Sequence, residues 1–180
     1  MNNRPIGVFD SGIGGLTVWQ EIVSLLPGES VIYLADQAFF PYGGKTRSGL
    51  QKRTEKICRF LIKEKVKLIV VACNTATVAA IDFLRKKFPL PFVGVEPAIK
   101  PAVRLSKTGI IGVLATKVTA QSKRRRKLIK EFAQGKKVVT VDASELTPLI
   151  EAGQEVTPVL EKLLLPLKKA GVDVLCRDYS

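Results

Sequence analysis

The stretch Val66 to Ala72 constrains this chain more than any other segment. The overlapping stretch Leu68 to Cys73 is the longest clean apolar run in the sequence. A strand wetted on one face alternates apolar and polar residues, whereas a strand covered on both faces does not. The run therefore predicts a strand buried between two layers, as a parallel sheet flanked by helices requires. It is far too short to span a bilayer, which needs about 20 apolar residues. Other β-rich runs fit the same scheme: Ile6 to Phe9, Val31 to Ala35, Phe92 to Val95, Ile110 to Leu114, Val138 to Val141 and Val172 to Leu175. Helical patterns lie between them near residues 15–25, 46–65, 76–87, 97–106, 117–133 and 155–170. In the second of these, Leu50, Ile57 and Leu61 follow the helical period. Strand–helix alternation implies βαβ units, hence an α/β fold with parallel sheets. A boundary near Glu96-Pro97 gives two α/β domains, residues 1–97 and 98–180.

Composition narrows the chemistry. The chain has no histidine. That excludes a Ser-His-Asp triad, a Cys-His dyad and an imidazole metal site. Acid–base work falls to carboxylates, thiols, lysines or tyrosines. Cys58, Cys73 and Cys176 form no CxxC pair. A sparse, odd set is not a disulfide framework and points to a reducing compartment. The opening Met1-Asn2-Asn3-Arg4-Pro5 has no apolar stretch after its Arg, so no secretory signal is expected and the location expected is the cytoplasm. The net charge is +13, from 29 Lys and Arg against 16 Asp and Glu. The densest basic run is Lys123-Arg124-Arg125-Arg126-Lys127, continuing to Lys130. It has no interleaved aromatic residues to stack on bases. It reads as a solvated helix face, and neither a nucleic acid nor a membrane is an expected partner.

In parallel α/β sheets, ligands bind outside the carboxyl ends of the strands. The first strand ends in Asp10-Ser11-Gly12, and the second in Asp36 with Pro41-Tyr42-Gly43 shortly after. The third ends in Cys73-Asn74-Thr75, the fourth in Glu96-Pro97, and the fifth in Ala115-Thr116 with Thr119 one turn on. Asp10 to Gly15 reads DSGIGG. Its glycines allow close backbone approach, and the open N–H groups of the following helix favour a carboxylate or phosphate. A dinucleotide fingerprint needs glycine where Thr17 stands. NAD binding is therefore not expected, although Asp36 has the position of a ribose-binding acid.

Cys73 precedes a helix that Asn74 and Thr75 can cap. The helix dipole lowers a thiol's pKa from about 8.5 and makes it a usable base or nucleophile. The competing reading is a small buried hydrophobe, which is the preferred reading for Cys58. Asp10 either assists a neighbouring group or merely caps a helix. Tyr42 and Gly43 either close over a small ligand or serve a turn. Gly15 either admits a ligand or serves only the tight turn.

These motifs together resemble the glutamate racemases of the aspartate/glutamate racemase family. Val8-Phe9-Asp10-Ser11-Gly12-Ile13-Gly14-Gly15-Leu16-Thr17-Val18 is similar to the family's opening motif, and Phe40-Pro41-Tyr42-Gly43 to its second. Ala72-Cys73-Asn74-Thr75-Ala76 resembles its first catalytic motif. Gly94 to Ala98, Gly112 to Thr116 and Leu146 to Gly153 follow in family order. The resemblance implies cofactor-independent interconversion of L- and D-glutamate for peptidoglycan. Cys73 would be one of two bases, assisted by Asp10. Ser11, Tyr42, Gly43, Asn74 and Thr75 would hold the substrate's amino and carboxylate groups, with Thr116 and Thr119 as further carboxylate contacts. No metal or cofactor is implied, and a homodimer is left open.

The family's second base lies in a strand-end motif of the form Leu-Gly-Cys-Thr-His-Tyr-Pro. The corresponding region here is Val174-Leu175-Cys176-Arg177-Asp178-Tyr179-Ser180. Cys176 and Tyr179 echo the motif, but its glycine, threonine, histidine and proline are absent. Cys176 also follows Asp173 three residues too soon. The expectation is a second domain cut short, impaired racemization, and apolar surface left uncovered on the first domain. Two alternatives stay open: an aspartate racemase, and an inactive racemase-like binding protein such as one that interacts with gyrase.

Overall fold

The computed structural model describes residues 3–178, so Met1 and Asn2, with Tyr179 and Ser180, lie outside the described residues. The chain divides into two compact units, up to Val95 and from Glu96 onward.

The first unit runs β1 (Ile6–Asp10), α1 (Leu16–Leu25), β2 (Val31–Ala35), α2 (Arg47–Lys63), β3 (Leu68–Val71), α3 (Asn74–Lys87) and β4 (Phe92–Gly94). Its four strands form one sheet in the order β2-β1-β3-β4, and every pairing is parallel. The apolar run opens as β3 and pairs with β1, from Ile6 opposite Leu68 to Phe9 opposite Val71. Residues Ile6 to Asp10 are all buried, as are Ile69 to Val71. Each aliphatic side chain so enclosed contributes about 1.5–3 kcal/mol. On one side, Val18 and Ile22 of α1 cover Ile6, Val8, Val70 and Ala72. The anticipated stripe on α2 is seen in buried Leu50, Ile57 and Leu61, with Thr54 and Cys58 beside them.

The second unit runs α4 (Ile99–Leu105), β5 (Ile110–Ala115), α5 (Lys117–Ala120), α6 (Lys123–Phe132), β6 (Lys137–Asp142), α7 (Leu146–Glu151), α8 (Thr157–Lys169) and β7 (Val174–Asp178). Its parallel sheet has the order β6-β5-β7. Alternate residues of β5 face opposite ways. Ile111, Val113 and Ala115 join Ile99 and Ala102 in one cluster, and Leu114 joins Leu146, Leu163 and Leu167 in the other.

Two expectations are corrected here, and one helix is added to them. The single helix over 117–133 is two helices. Ser122 stops the first and caps the second, its hydroxyl accepting from the Arg125 amide at 3.1 Å. Helix α7 was not anticipated; six residues starting Leu-Thr-Pro are too few to show a period. The last strand starts two residues later than Val172. Asp173 is held in the preceding loop, where its carboxylate accepts from the Lys107 and Thr108 amides at 2.6 and 2.9 Å and from the Ser106 hydroxyl at 2.7 Å.

Gly94 closes β4 against α3. A Cβ there would meet Ile81 and would lie 2.6 Å from Thr77 Cγ2. Thr77 cannot turn away without losing its hydroxyl bond to the Val71 carbonyl at 3.2 Å. Gly94→Ala is expected to cost about 1–3 kcal/mol in chemical denaturation. The Gly94→Ala/Thr77→Ser pair, lacking the clashing methyl, should recover part of that loss.

Candidate active site

The order β2-β1-β3-β4 fixes where a ligand can bind. The chain places β2 on one side of β1, then crosses to the other side for β3 and β4. The crevice at such a reversal opens between the carboxyl ends of β1 and β3. Asp10-Ser11 leaves β1 there, and Cys73-Asn74-Thr75 leaves β3 there. All five side chains are buried.

Asp10 closes the loop that follows it. One carboxylate oxygen accepts from the Gly15 amide at 2.9 Å and the Gly12 amide at 3.4 Å. A Cβ at Gly15 would come within 2.6 Å of Asp10 Cβ and 2.9 Å of Ala72 Cβ. Gly15 thus brings α1 against the strand ends, a packing need. The Tyr33 hydroxyl donates to the Gly12 carbonyl at 2.9 Å and fixes the same loop from β2.

Cys73 is the N-cap of α3. Its sulfur accepts from the Ala76 amide at 3.4 Å, and its thiol points to the Ser11 hydroxyl 3.8 Å away. Its surroundings are therefore polar although it is only 1% exposed. The Asn74 Oδ1 is buried with no hydrogen-bond partner among the described residues. A buried acceptor without a donor carries a desolvation cost that an ammonium group would remove. Cys58, in contrast, lies inside α2, and burial pushes its thiol up to about 12.

Tyr42 and Gly43 are buried in a short 3-10 turn after the cis Phe40-Pro41 peptide. The Tyr42 hydroxyl donates to Asp36 Oδ2 at 2.6 Å. Burial first, and then this carboxylate, drive its phenol far above the ordinary range; the nearby Cys73 adds to the effect. Arg53 of α2 donates from Nε to the same Asp36 oxygen at 2.8 Å and from Nη2 to the other. The Asp36 amide in turn donates to the Asp10 carbonyl at 2.9 Å. Asp36 is thus an anchor for Tyr42. Arg53 was not singled out from sequence, because it stands among the charged residues of a helix with nothing to mark it.

The second unit has its own reversal, between β5 and β7. Thr116 caps α5, and its hydroxyl lies 3.1 Å from that of Thr119, both buried. Cys176 lies inside β7 opposite Val113, in the cluster of Ile99 and Ile111. Its thiol donates to the Ala98 carbonyl at 3.4 Å, and burial pushes it up to about 11. Asp178 occupies the strand's end opposite Ala115. Tyr179 lies outside the described residues. Arg125 corrects the reading of its basic run: it is only 5% exposed and bonds the Thr140 hydroxyl and the Ala120 carbonyl. Lys123, Arg126, Lys127 and Lys130 are exposed as expected. Among the described residues no cluster of ligating side chains could hold a metal, and no helix is long and apolar enough to cross a membrane.

A thiol and a carboxylate stand at the reversal of a parallel sheet, and that sheet is joined in sequence to a second one, which defines an α/β protein of two parallel-sheet units. The model of the Asp/Glu/hydantoin racemases matches residues 6–176, and the chain belongs to that family. It is 45% identical to the glutamate racemase of Herpetosiphon aurantiacus, over 99% of this chain and 73% of that protein. It resembles the crystal structure of Escherichia coli glutamate racemase in complex with L-glutamate and the activator UDP-MurNAc-ala at 41% identity and a TM-score of 0.83. That match covers 91% of this chain and 64% of the other, so the chain spans under two thirds of that protein. The Francisella tularensis glutamate racemase in complex with D-glutamate is 31% identical with a TM-score of 0.81, covering 97% of this chain and 67% of that one.

Asp178 gives the second unit a pH dependence. Burial raises its carboxyl to about 6, against smaller opposing effects from the Ala98 amide and Arg125. Its Oδ2 is buried with no hydrogen-bond partner among the described residues. A carboxyl raised on folding stabilises while protonated, and that contribution is lost as pH climbs from about 4 to about 6. Asp178→Asn should therefore be the more stable protein at pH 7.5, by at most about 3 kcal/mol. Thermal melts from pH 4 to 8 should show the advantage vanish at the acid end.

Proposed function

We propose that this chain performs the proton chemistry of a glutamate racemase, without a cofactor, as part of the supply of D-glutamate for peptidoglycan. Cys73 is the base for one face of the substrate's α-carbon. As thiolate it takes the α-proton, leaving a carbanion beside the carboxylate, and as thiol it returns a proton. A thiol suits the exchange because its ordinary pKa lies near working pH. Asp10 assists these transfers from the adjoining strand end. The Asn74 carbonyl oxygen accepts from the substrate ammonium, and the Ser11 and Thr75 hydroxyls complete its polar surroundings. Tyr42 and Gly43 contribute backbone groups, since the Tyr42 hydroxyl is engaged by Asp36. The observation that carries this reading is the Cys73 thiol, 3.8 Å from the Ser11 hydroxyl at the sheet's reversal. The glutamate found with the Escherichia coli and Francisella tularensis relatives supports the choice of substrate.

Inversion also requires a proton donor on the opposite face. Cys176 is packed in apolar surroundings with its thiol raised to about 11, a poor match to a working base at neutral pH. Cys176 is therefore not assigned as that donor.

In D2O, proton NMR should show glutamate losing its α-proton signal, and aspartate exchanging more slowly. Cys73→Ala should reduce the exchange by about 10²-fold or more, while Cys176→Ala stays within about twofold. Undiminished exchange in Cys73→Ala removes the assignment.

A further inference from the structure

Between β2 and α2 lies an ionic anchor that the proton chemistry does not itself use. The Asp36 side chain is 2% exposed and carries its charge inside the first unit. Two nitrogens of Arg53 grip its two oxygens, and the Tyr42 hydroxyl occupies the same Oδ2 at 2.6 Å. The Arg53 guanidinium also lies over the Phe39 ring, 5.4 Å from its centre, with Lys45 over the same ring at 4.9 Å. Phe39 in turn meets Tyr42 edge to face, ring centres 6.1 Å apart. Tyr42 and Arg53 thus meet on Asp36, with the Phe39 ring packed against both. Helix α2 itself is tied to α3, the helix that Cys73 caps, by Arg47 Nε and Gln51 Nε2, each donating to the Ala79 carbonyl at 3.2 Å.

An ion pair is not required for that geometry alone, since a neutral amide at position 36 could also accept from Tyr42. The full charge matters because of what binds nearby. A buried, uncompensated carboxylate repels an anionic substrate strongly where water is scarce. A bidentate guanidinium cancels that charge and adds directional grip.

We propose that Arg53 is a positioning residue for the substrate. Through Asp36 it locks the Tyr42-Gly43 turn beside Cys73 and cancels the carboxylate charge that would otherwise oppose an incoming dicarboxylic amino acid. The proposal rests on the racemase reading and deepens it, because it assigns a positioning role to a side chain that acts through Asp36.

The test is the kinetics of α-proton exchange from glutamate in D2O, with calorimetric titration of glutamate and thermal melts alongside. Arg53→Gln should raise KM at least tenfold and leave kcat within threefold. Arg53→Lys, which keeps the charge and loses the fork, should fall between it and the parent chain. Tyr42→Phe keeps the ion pair and releases the turn. It should also raise KM at constant kcat, and it carries the test if Arg53→Gln does not fold. A folded Arg53→Gln, or a folded Tyr42→Phe, with unchanged KM overturns the proposal while leaving the racemase reading intact. A parent chain that neither exchanges nor binds glutamate overturns both.

Discussion

The pairing of β1 with β3 is the constraint from which the first unit follows. Both strands are enclosed, so neither can slip or turn without wetting apolar side chains that contribute about 1.5–3 kcal/mol each. Their parallel register sets Phe9 beside Val71. The residues that follow, Asp10-Ser11 and Cys73-Asn74, then leave the sheet side by side. Ser11 and Cys73, 62 positions apart in the chain, meet at 3.8 Å for this reason. Polar residues gather at the strand ends and apolar ones fill the strands, and the two sets hardly overlap.

Polar groups at the strand ends are held by short loops and helix starts. Asp10 binds the Gly12 and Gly15 amides, Cys73 receives the Ala76 amide, and Asp36 is sewn to the Asp10 carbonyl through its own amide. Each of these groups closes its loop, and Asp10 and Cys73 also stand at the strand ends that border the crevice. The alternatives posed by the sequence for Asp10, capping or chemistry, are therefore not exclusive. Gly15 is the opposite case, a residue whose need is explained by Asp10 and Ala72 packing against it.

Much of the first unit was legible because its signals are local. An unbroken apolar run gives a doubly covered strand, and a helical period on Leu50, Ile57 and Leu61 gives the buried face of α2. Strand ends could be read off, and with them Asp10, Ser11 and Cys73. Long-range polar partnerships could not. Nothing local distinguishes Arg53 from the other cations of α2, or Arg125 from the exposed ones around it. Their partners, Asp36 and Thr140, come from other elements. In the second unit the errors lie where short helices and one loop carboxylate decide boundaries: Ser122 divides a helix, and Asp173 delays a strand.

All three cysteines are buried and unbonded to one another, Cys58 and Cys73 in one unit and Cys176 in the other. Outside the crevice assigned to Cys73, an alkylating reagent in excess can reach the other two sulfurs, Cys58 in one unit and Cys176 in the other, only when the surrounding structure opens. The molecule therefore carries its own clocks. The rate at which each of these two thiols is consumed reports how often its half of the chain breathes, and peptide mapping of the modified sulfurs would time the two halves separately within a single sample.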